Sequence, residues 1–175
     1  MIISRTPFRI SFAGGGSDLP SFYRQEMGAV LSTSINKYVY IAIHPFFDAR
    51  KIQLKYSKTE LVSCIDEIQH PIFREVLKIH HLKGVDLNSI ADIPSGTGLG
   101  SSSSFTVGLL NAVNAYSAKA ISSERLGELA CEVEIDRLGS PIGKQDQYAA
   151  AFGGFNYMEF LPNDLVIVNP LKIKR

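Results

Sequence analysis

The run from residue 94 to 104 reads PSGTGLGSSSS, with glycines at the alternate positions 96, 98 and 100 and hydroxyls at the four positions that follow. Glycine reaches positive φ without strain and lets the main chain come against a ligand with no Cβ in the way. Phe105, Leu109, Ala112, Val113 and Tyr116 then recur at helical spacing, so the run ends at a helix N-terminus with unpaired N–H groups and the positive end of a dipole. An anion, and a phosphate above all, suits that place. A P-loop would need Lys after its last glycine, where this chain has Ser101. A dinucleotide fingerprint would read GxGxxG, where this chain reads GTGLGS. A flexible linker has no reason to abut so periodic a helix.

Two other stretches carry chemistry-bearing residues. Residues 2–12 alternate as a strand, with Arg9 on the face opposite Phe8 and Ile10, and stop at Gly14, Gly15 and Gly16 followed by Ser17 and Asp18. Asp18 or Ser17 is placed to cap a short helix over 20–25, which has Pro20 in its first turn. Farther on, Asp146 follows a Gly139-Ser140-Pro141 break and a Gly143-Lys144-Gln145 approach, and opens a short alanine-rich helix over 145–152.

These residues need a scaffold. In 175 residues at 45% apolar content the chain can build one good core. A net charge of +1 without a Lys/Arg cluster gives no footing for nucleic acid or an anionic membrane, and favours a small-molecule partner. Cys64 and Cys131 stand far apart with no CxxC, which indicates neither a disulfide framework nor zinc and fits a reducing cytosol. No secretory signal opens the chain, and no apolar run reaches the roughly 20 residues that cross a bilayer. His44, His70, His80 and His81 form no metal-binding spacing and read as structural or surface residues.

The expected elements are strands over 2–12, 29–44 (one or two), 52–56 and 85–91, and helices over 71–82, from 105 onward, and over 123–138. The helix over 145–152 and a hairpin of 155–161 with 165–168, turning at Pro162-Asn163-Asp164, close the chain. Residues 61–66 stay unassigned. The order implies an α+β fold, a mixed sheet packed on helices in two layers.

The 94–104 run resembles the PxxxGLGSSxS signature of the GHMP kinases, the superfamily of galactokinase, homoserine kinase and mevalonate kinase. The companion stretches PFRISFAGGGSD from residue 7 and GKQDQYAAAFGGFN from residue 143 resemble the other motifs of its sugar-kinase members. Their wording is most similar to the kinases that phosphorylate D-glycero-D-manno-heptose 7-phosphate at the anomeric hydroxyl. The resemblance implies one N-terminal ATP-binding domain over 1–175, with a fold shared with a ribosomal protein, ATP and Mg²⁺ as cofactors, and a cytoplasmic enzyme. It implies nucleotide binding by Pro94, Gly96, Gly98, Leu99, Gly100, Ser101, Ser102 and Ser103, and metal binding by Ser102 and Glu134.

Asp146 is then the general base toward a sugar hydroxyl, a task a carboxylate performs when positioned. Arg9 beside it keeps it ionised, since a nearby opposite charge depresses an Asp pKa, and lowers the acceptor's pKa. Gly14, Gly15, Gly16, Ser17, Asp18 and Gln145 face the acceptor. Glu134 is expected partly buried at the rim of its helix, with Glu132 and Asp136 turned to solvent. Relatives carry a third glycine-rich motif in a ferredoxin-like C-terminal domain. No such segment occurs here, so the chain is expected to correspond to the N-terminal half of such a kinase, to be inactive alone, and to meet the missing half in trans.

Overall fold

A computed structural model describes residues 1–94 and 96–172; Ser95 of the glycine run lies outside the described residues. The strands are β1 (Ile2–Ala13), β2 (Gly28–Pro45), β3 (Ile52–Lys55), β4 (Thr59–Val62), β5 (Val85–Ala91), β6 (Phe155–Phe160) and β7 (Val166–Pro170). The helices are α1 (Pro20–Tyr23), α2 (Pro71–His80), α3 (Ser101–Tyr116), α4 (Ser123–Cys131) and α5 (Gln145–Phe152). A 3₁₀ turn spans Ile65–Glu67, and α4 runs on as a π-helical segment over Glu132–Arg137.

All seven strands form one mixed sheet in the order β4-β3-β5-β2-β6-β7, with β1 paired to β2. Among the described residues only β3 and β5 pair in parallel. The long β2 is the axis: β1 lines one edge from Ile2↔Ile43 to Ala13↔Leu31, while β5 and β6 share the other. Alternation sets the faces. Val39, Ile41 and Ile43 turn inward and are buried, and Tyr38, Tyr40 and Ala42 between them turn outward.

The helices cover the inward face, with α3 against β1 and β2. There Leu109, Leu110 and Val113 meet Phe8, Ile41 and Leu87, and each such side chain contributes about 1.5–3 kcal/mol on burial. Gly108 lets α3 approach, since a Cβ there would stand 2.8 Å from Thr6 Oγ1. Ser4 Oγ donates to the Gly108 carbonyl at 2.7 Å across the same contact.

The two-layer α+β architecture follows the expected one, and β5 has the expected ends. Several boundaries differ for identifiable reasons. α3 begins at Ser101, so the serines form its first turn, ahead of the apolar periodicity that starts at Phe105. α2 stops at His80 because His81 turns left-handed (φ 50°). α1 ends at Tyr23, and its N-cap is Leu19 with no side-chain cap, so neither Ser17 nor Asp18 caps it. Residues 61–66 divide between β4 and the 3₁₀ turn. The single helix expected over 123–138 loosens after Cys131, where Leu138 N donates to Val133 O at 3.1 Å, an i→i−5 bond. That change of pitch matters at the site.

Candidate active site

Arg9 lies just past a register shift in β1, between Pro7 and Arg9. Its main-chain N–H donates to Leu99 O at 3.2 Å, and its Nη1 donates to Gly98 O at 2.8 Å. One residue therefore fastens the glycine loop to the sheet. The same guanidinium holds Asp146, with Nε at 2.7 Å and Nη2 at 2.6 Å from Oδ1. Oδ2 accepts no hydrogen bond among the described residues.

Gly100 caps α3 in a left-handed conformation (φ 75°), and a Cβ on it would lie 3.3 Å from Asp146 Oδ2. The free carboxylate oxygen thus stands against the start of α3. The first intrahelical bond there runs from Ser104 N to Gly100 O, which leaves the N–H groups of Ser101, Ser102 and Ser103 ahead of the ladder. Ser103 and Ser104 turn their side chains inward and are buried, so Ser103 can offer a ligand only its main chain.

Burial raises the Asp146 carboxyl above the usual aspartate range; Arg9 opposes by charge and hydrogen bond, and the nearby Asp18 charge adds to the rise. Arg9 lowers it as expected, but the net shift is upward, so the expectation of a depressed carboxyl is corrected. The site is enclosed enough that desolvation outweighs the ion pair.

Glu134 is also placed differently from expectation: it is fully buried, 1% exposed, not at a rim. The π-helical pitch turns it inward, where Oε1 accepts from Ser102 Oγ at 2.6 Å and Oε2 from Gln147 Nε2 at 2.7 Å. Asp136 is exposed as expected, while Glu132 is half-buried and paired with Arg137. One carboxylate and one hydroxyl form a hard oxygen donor set of the kind Mg²⁺ accepts when phosphates and waters complete its shell. Beside them Gln147 Oε1 is buried with no partner among the described residues, an acceptor suited to a metal-bound water. Among the described residues no group of three or more His, Cys, Asp and Glu gathers into a metal site.

On the other side of Asp146, the glycine turn wraps a small pocket of about 220 Å³ bordered by Gly16, Asp18, Leu19, Gly143, Gln145 and Asp146. Gly14, Gly15 and Gly16 are exposed, and Gly14 must lack a side chain because its Cβ would overlap the Ala29 carbonyl. Ser17 Oγ is committed within the turn, donating to Gly14 O at 2.7 Å. Gln145 Oε1 accepts from Ser11 Oγ at 2.7 Å, and its Nε2 donates to Asp18.

Along α3's first turn a cleft of about 370 Å³ opens between Gly96, Ser101 and Ser102 and a wall that includes Tyr56, His70 and Phe105. His70 caps α2 with Nδ1 and is held neutral by burial. Tyr56 donates to Glu60 at 2.7 Å, and burial with that contact pushes its phenol up to about 12. Sequence reasoning brought the loop, Arg9, Glu134 and Asp146 together but missed this wall, which comes from strands and turns far from the glycine run. It also missed Gln147, whose one signal was its place beside Asp146.

This arrangement, on a two-layer sheet-and-helix domain, has the makings of an anion site, and comparison gives the family. Residues 50–154 match the family model of the GHMP kinases N terminal domain, and the chain belongs to that family.

Among curated proteins it is 35% identical to the D-glycero-alpha-D-manno-heptose 7-phosphate kinase of Campylobacter jejuni, across 99% of this chain and 55% of that one. It is 28% identical to a galactokinase of Pyrococcus furiosus, across 91% and 46%. The chain thus spans about half the length of these relatives. A crystal structure of a D-glycero-D-manno-heptose 1-phosphate kinase from Bacteroides thetaiotaomicron superposes with a TM-score of 0.91 at 35% identity, covering 99% of this chain and 61% of that one. A mevalonate kinase structure at 19% identity shares the fold, with a TM-score of 0.76 over 98% of this chain and 56% of that one. These relatives are sugar and small-molecule kinases.

Proposed function

We propose that the chain is the N-terminal, nucleotide-binding half of an ATP-dependent kinase acting on the anomeric hydroxyl of a sugar phosphate, with D-glycero-D-manno-heptose 7-phosphate as the favoured acceptor. The observation that carries this reading is the Arg9 bridge. One guanidinium joins the Gly98 carbonyl to Asp146 and sets a buried carboxylate against the anion-binding start of α3. Phosphoryl transfer asks for little more than such positioning and charge neutralisation.

Mg·ATP, when bound, supplies the transferable phosphoryl group and a divalent charge on it. The chain's own residues do the rest. Main-chain N–H groups from Gly96 to Ser103 hold phosphate oxygens, with the nucleoside in the cleft beside Tyr56, His70 and Phe105. Ser102 and Glu134 hold the metal, oriented by Gln147. Asp146 Oδ2 accepts the proton of the acceptor hydroxyl, helped by its raised proton affinity. Arg9 keeps Oδ1 engaged, which leaves Oδ2 free beside the start of α3, and Asp146 also borders the pocket behind Gly16. Gly14 to Asp18 and Gln145 shape that pocket, and the sugar's remaining contacts come from a C-terminal domain, in trans if need be. The free thiols of Cys64 and Cys131 accord with a cytoplasmic site of action.

Isothermal titration with Mg·ATP, then assay of sugar phosphates with and without a relative's C-terminal half, tests the reading. Nucleotide binding by this chain and transfer only in the reconstituted mixture are expected. Absence of nucleotide binding would end it. The names of two relatives put the phosphate at different carbons of the heptose, so the 7-phosphate, the 1-phosphate and galactose belong in the same assay.

A further inference from the structure

The first turn of α5 is held from three directions by three successive side chains. Gln145 reaches Ser11 and Asp18, Asp146 reaches Arg9, and Gln147 reaches Glu134. Yet α5 lacks a cap of its own, since Lys144 at its N-cap makes no side-chain capping bond. The missing acceptor arrives from far upstream. Asp18 Oδ2 accepts from Gln145 N at 3.0 Å, and Oδ1 accepts from Gln145 Nε2 and from Gly16 N, each at 3.1 Å. The Asp18 carbonyl also accepts from Lys144 N at 3.4 Å.

Asp18 is only 2% exposed. A carboxylate so buried needs its donors, and these three, together with the positive end of α5, supply them. The fit is close enough to dictate a neighbour. A Cβ on residue 143 would overlap the Asp18 carboxylate, so Gly143 is required for the contact to form.

We infer that Asp18 is a positioning residue: by capping α5 across the domain it fixes the helix turn that carries Asp146 to the edge of the pocket, and three accepted hydrogen bonds hold its carboxylate in that place. The inference rests on the kinase reading only for what Asp146 is aimed at. A second effect follows from charge. Asp18 and Arg9 are the charged groups facing Asp146, from the glycine turn and from β1; the first raises its proton affinity and the second lowers it.

The test needs neither nucleotide nor turnover. Amide hydrogen exchange on the unliganded chain should show protection at Gln145, Tyr148 and Ala149 falling about tenfold in Asp18→Asn, the effect of losing a charged cap, while α3 keeps its protection. The Asp146 carboxyl, followed by carbon-detected NMR, should titrate at lower pH in the same variant, a change that loss of packing alone would not give. Gly143→Ala attacks the contact from the other side and should loosen the same amides, which keeps the question open to test if Asp18→Asn fails to fold.

Unchanged protection of α5 and an unchanged Asp146 titration would overturn the inference, and a loss confined to sugar affinity would make Asp18 a ligand contact. Failure of the kinase reading would look different: wild-type chain that binds no Mg·ATP, whatever α5 does.

Discussion

Asp146 combines a buried setting with an arginine on one oxygen and an unengaged second oxygen. Asp146→Asn keeps the shape and removes the base. It should leave Mg·ATP affinity within about twofold and lower transfer in the reconstituted enzyme by 10²-fold or more, roughly the range of general base catalysis; a retained rate would remove Asp146 from that role. Because burial raises its proton affinity, the acidic limb of the rate profile should lie above the usual aspartate pKa of about 3.9. Arg9→Met removes the group that opposes the rise, so the limb should move to still higher pH. The linkage has the matching sign. Asp146's contribution to stability is present in acid, below the unfolded pKa, and is lost as pH rises through the raised folded value. At the metal residues, Ser102→Ala should weaken ATP binding only when Mg²⁺ is present, as calorimetry with and without a chelator would show.

At the scale of elements, the site exists because a loop, a strand and two helix starts converge, and each joint depends on local geometry. Gly100 is one such joint. Its left-handed φ of 75° is one that a residue with a Cβ adopts at a cost of about 1–2 kcal/mol, and the added methyl would press on Asp146 and Arg9. Gly100→Ala should lower the urea midpoint accordingly and weaken nucleotide binding, both measurable on the chain alone. The π-helical stretch after α4 serves in another way. It turns Glu134 inward to meet Ser102 and Gln147, and leaves Asp136 in solvent on the same segment. No propensity in the sequence announces a π turn, since it forms where tertiary partners reward a change of pitch.

At the scale of the molecule, one sheet face carries the helices and the site, while the other is open. Ile3 and Ile90 lie on that open face through their pairing with Ala42 and Tyr40, at 57% and 68% exposure. The helical side buries imidazoles. His70 and His80 are both held neutral chiefly by burial, and the ring nitrogens of His80 have no partner. A folded pKa below the unfolded value means that their stability is present above about pH 6.5 and is lost as pH falls from there toward the depressed folded values. The melting temperature should therefore decline from about pH 6.5 toward 5. His80→Leu removes the buried orphan nitrogens and should flatten the decline and raise Tm by about 2–4 °C, the shift that 1 kcal/mol gives a chain of this size.

The sequence by itself determined the class of chemistry and the parts list. Alternate glycines before a periodic helix point to an anion-binding turn, and the strand of Arg9, the helix of Asp146 and the closing hairpin were legible because their periodicities are local. The tertiary structure decided what each part does to the others. Whether Arg9 or burial governs Asp146, whether Glu134 is rim or interior, and whether Asp18 caps its own helix or one well over a hundred residues away all depend on which groups are desolvated together. Desolvation is a property of packed neighbours, and spacing along a chain does not encode it.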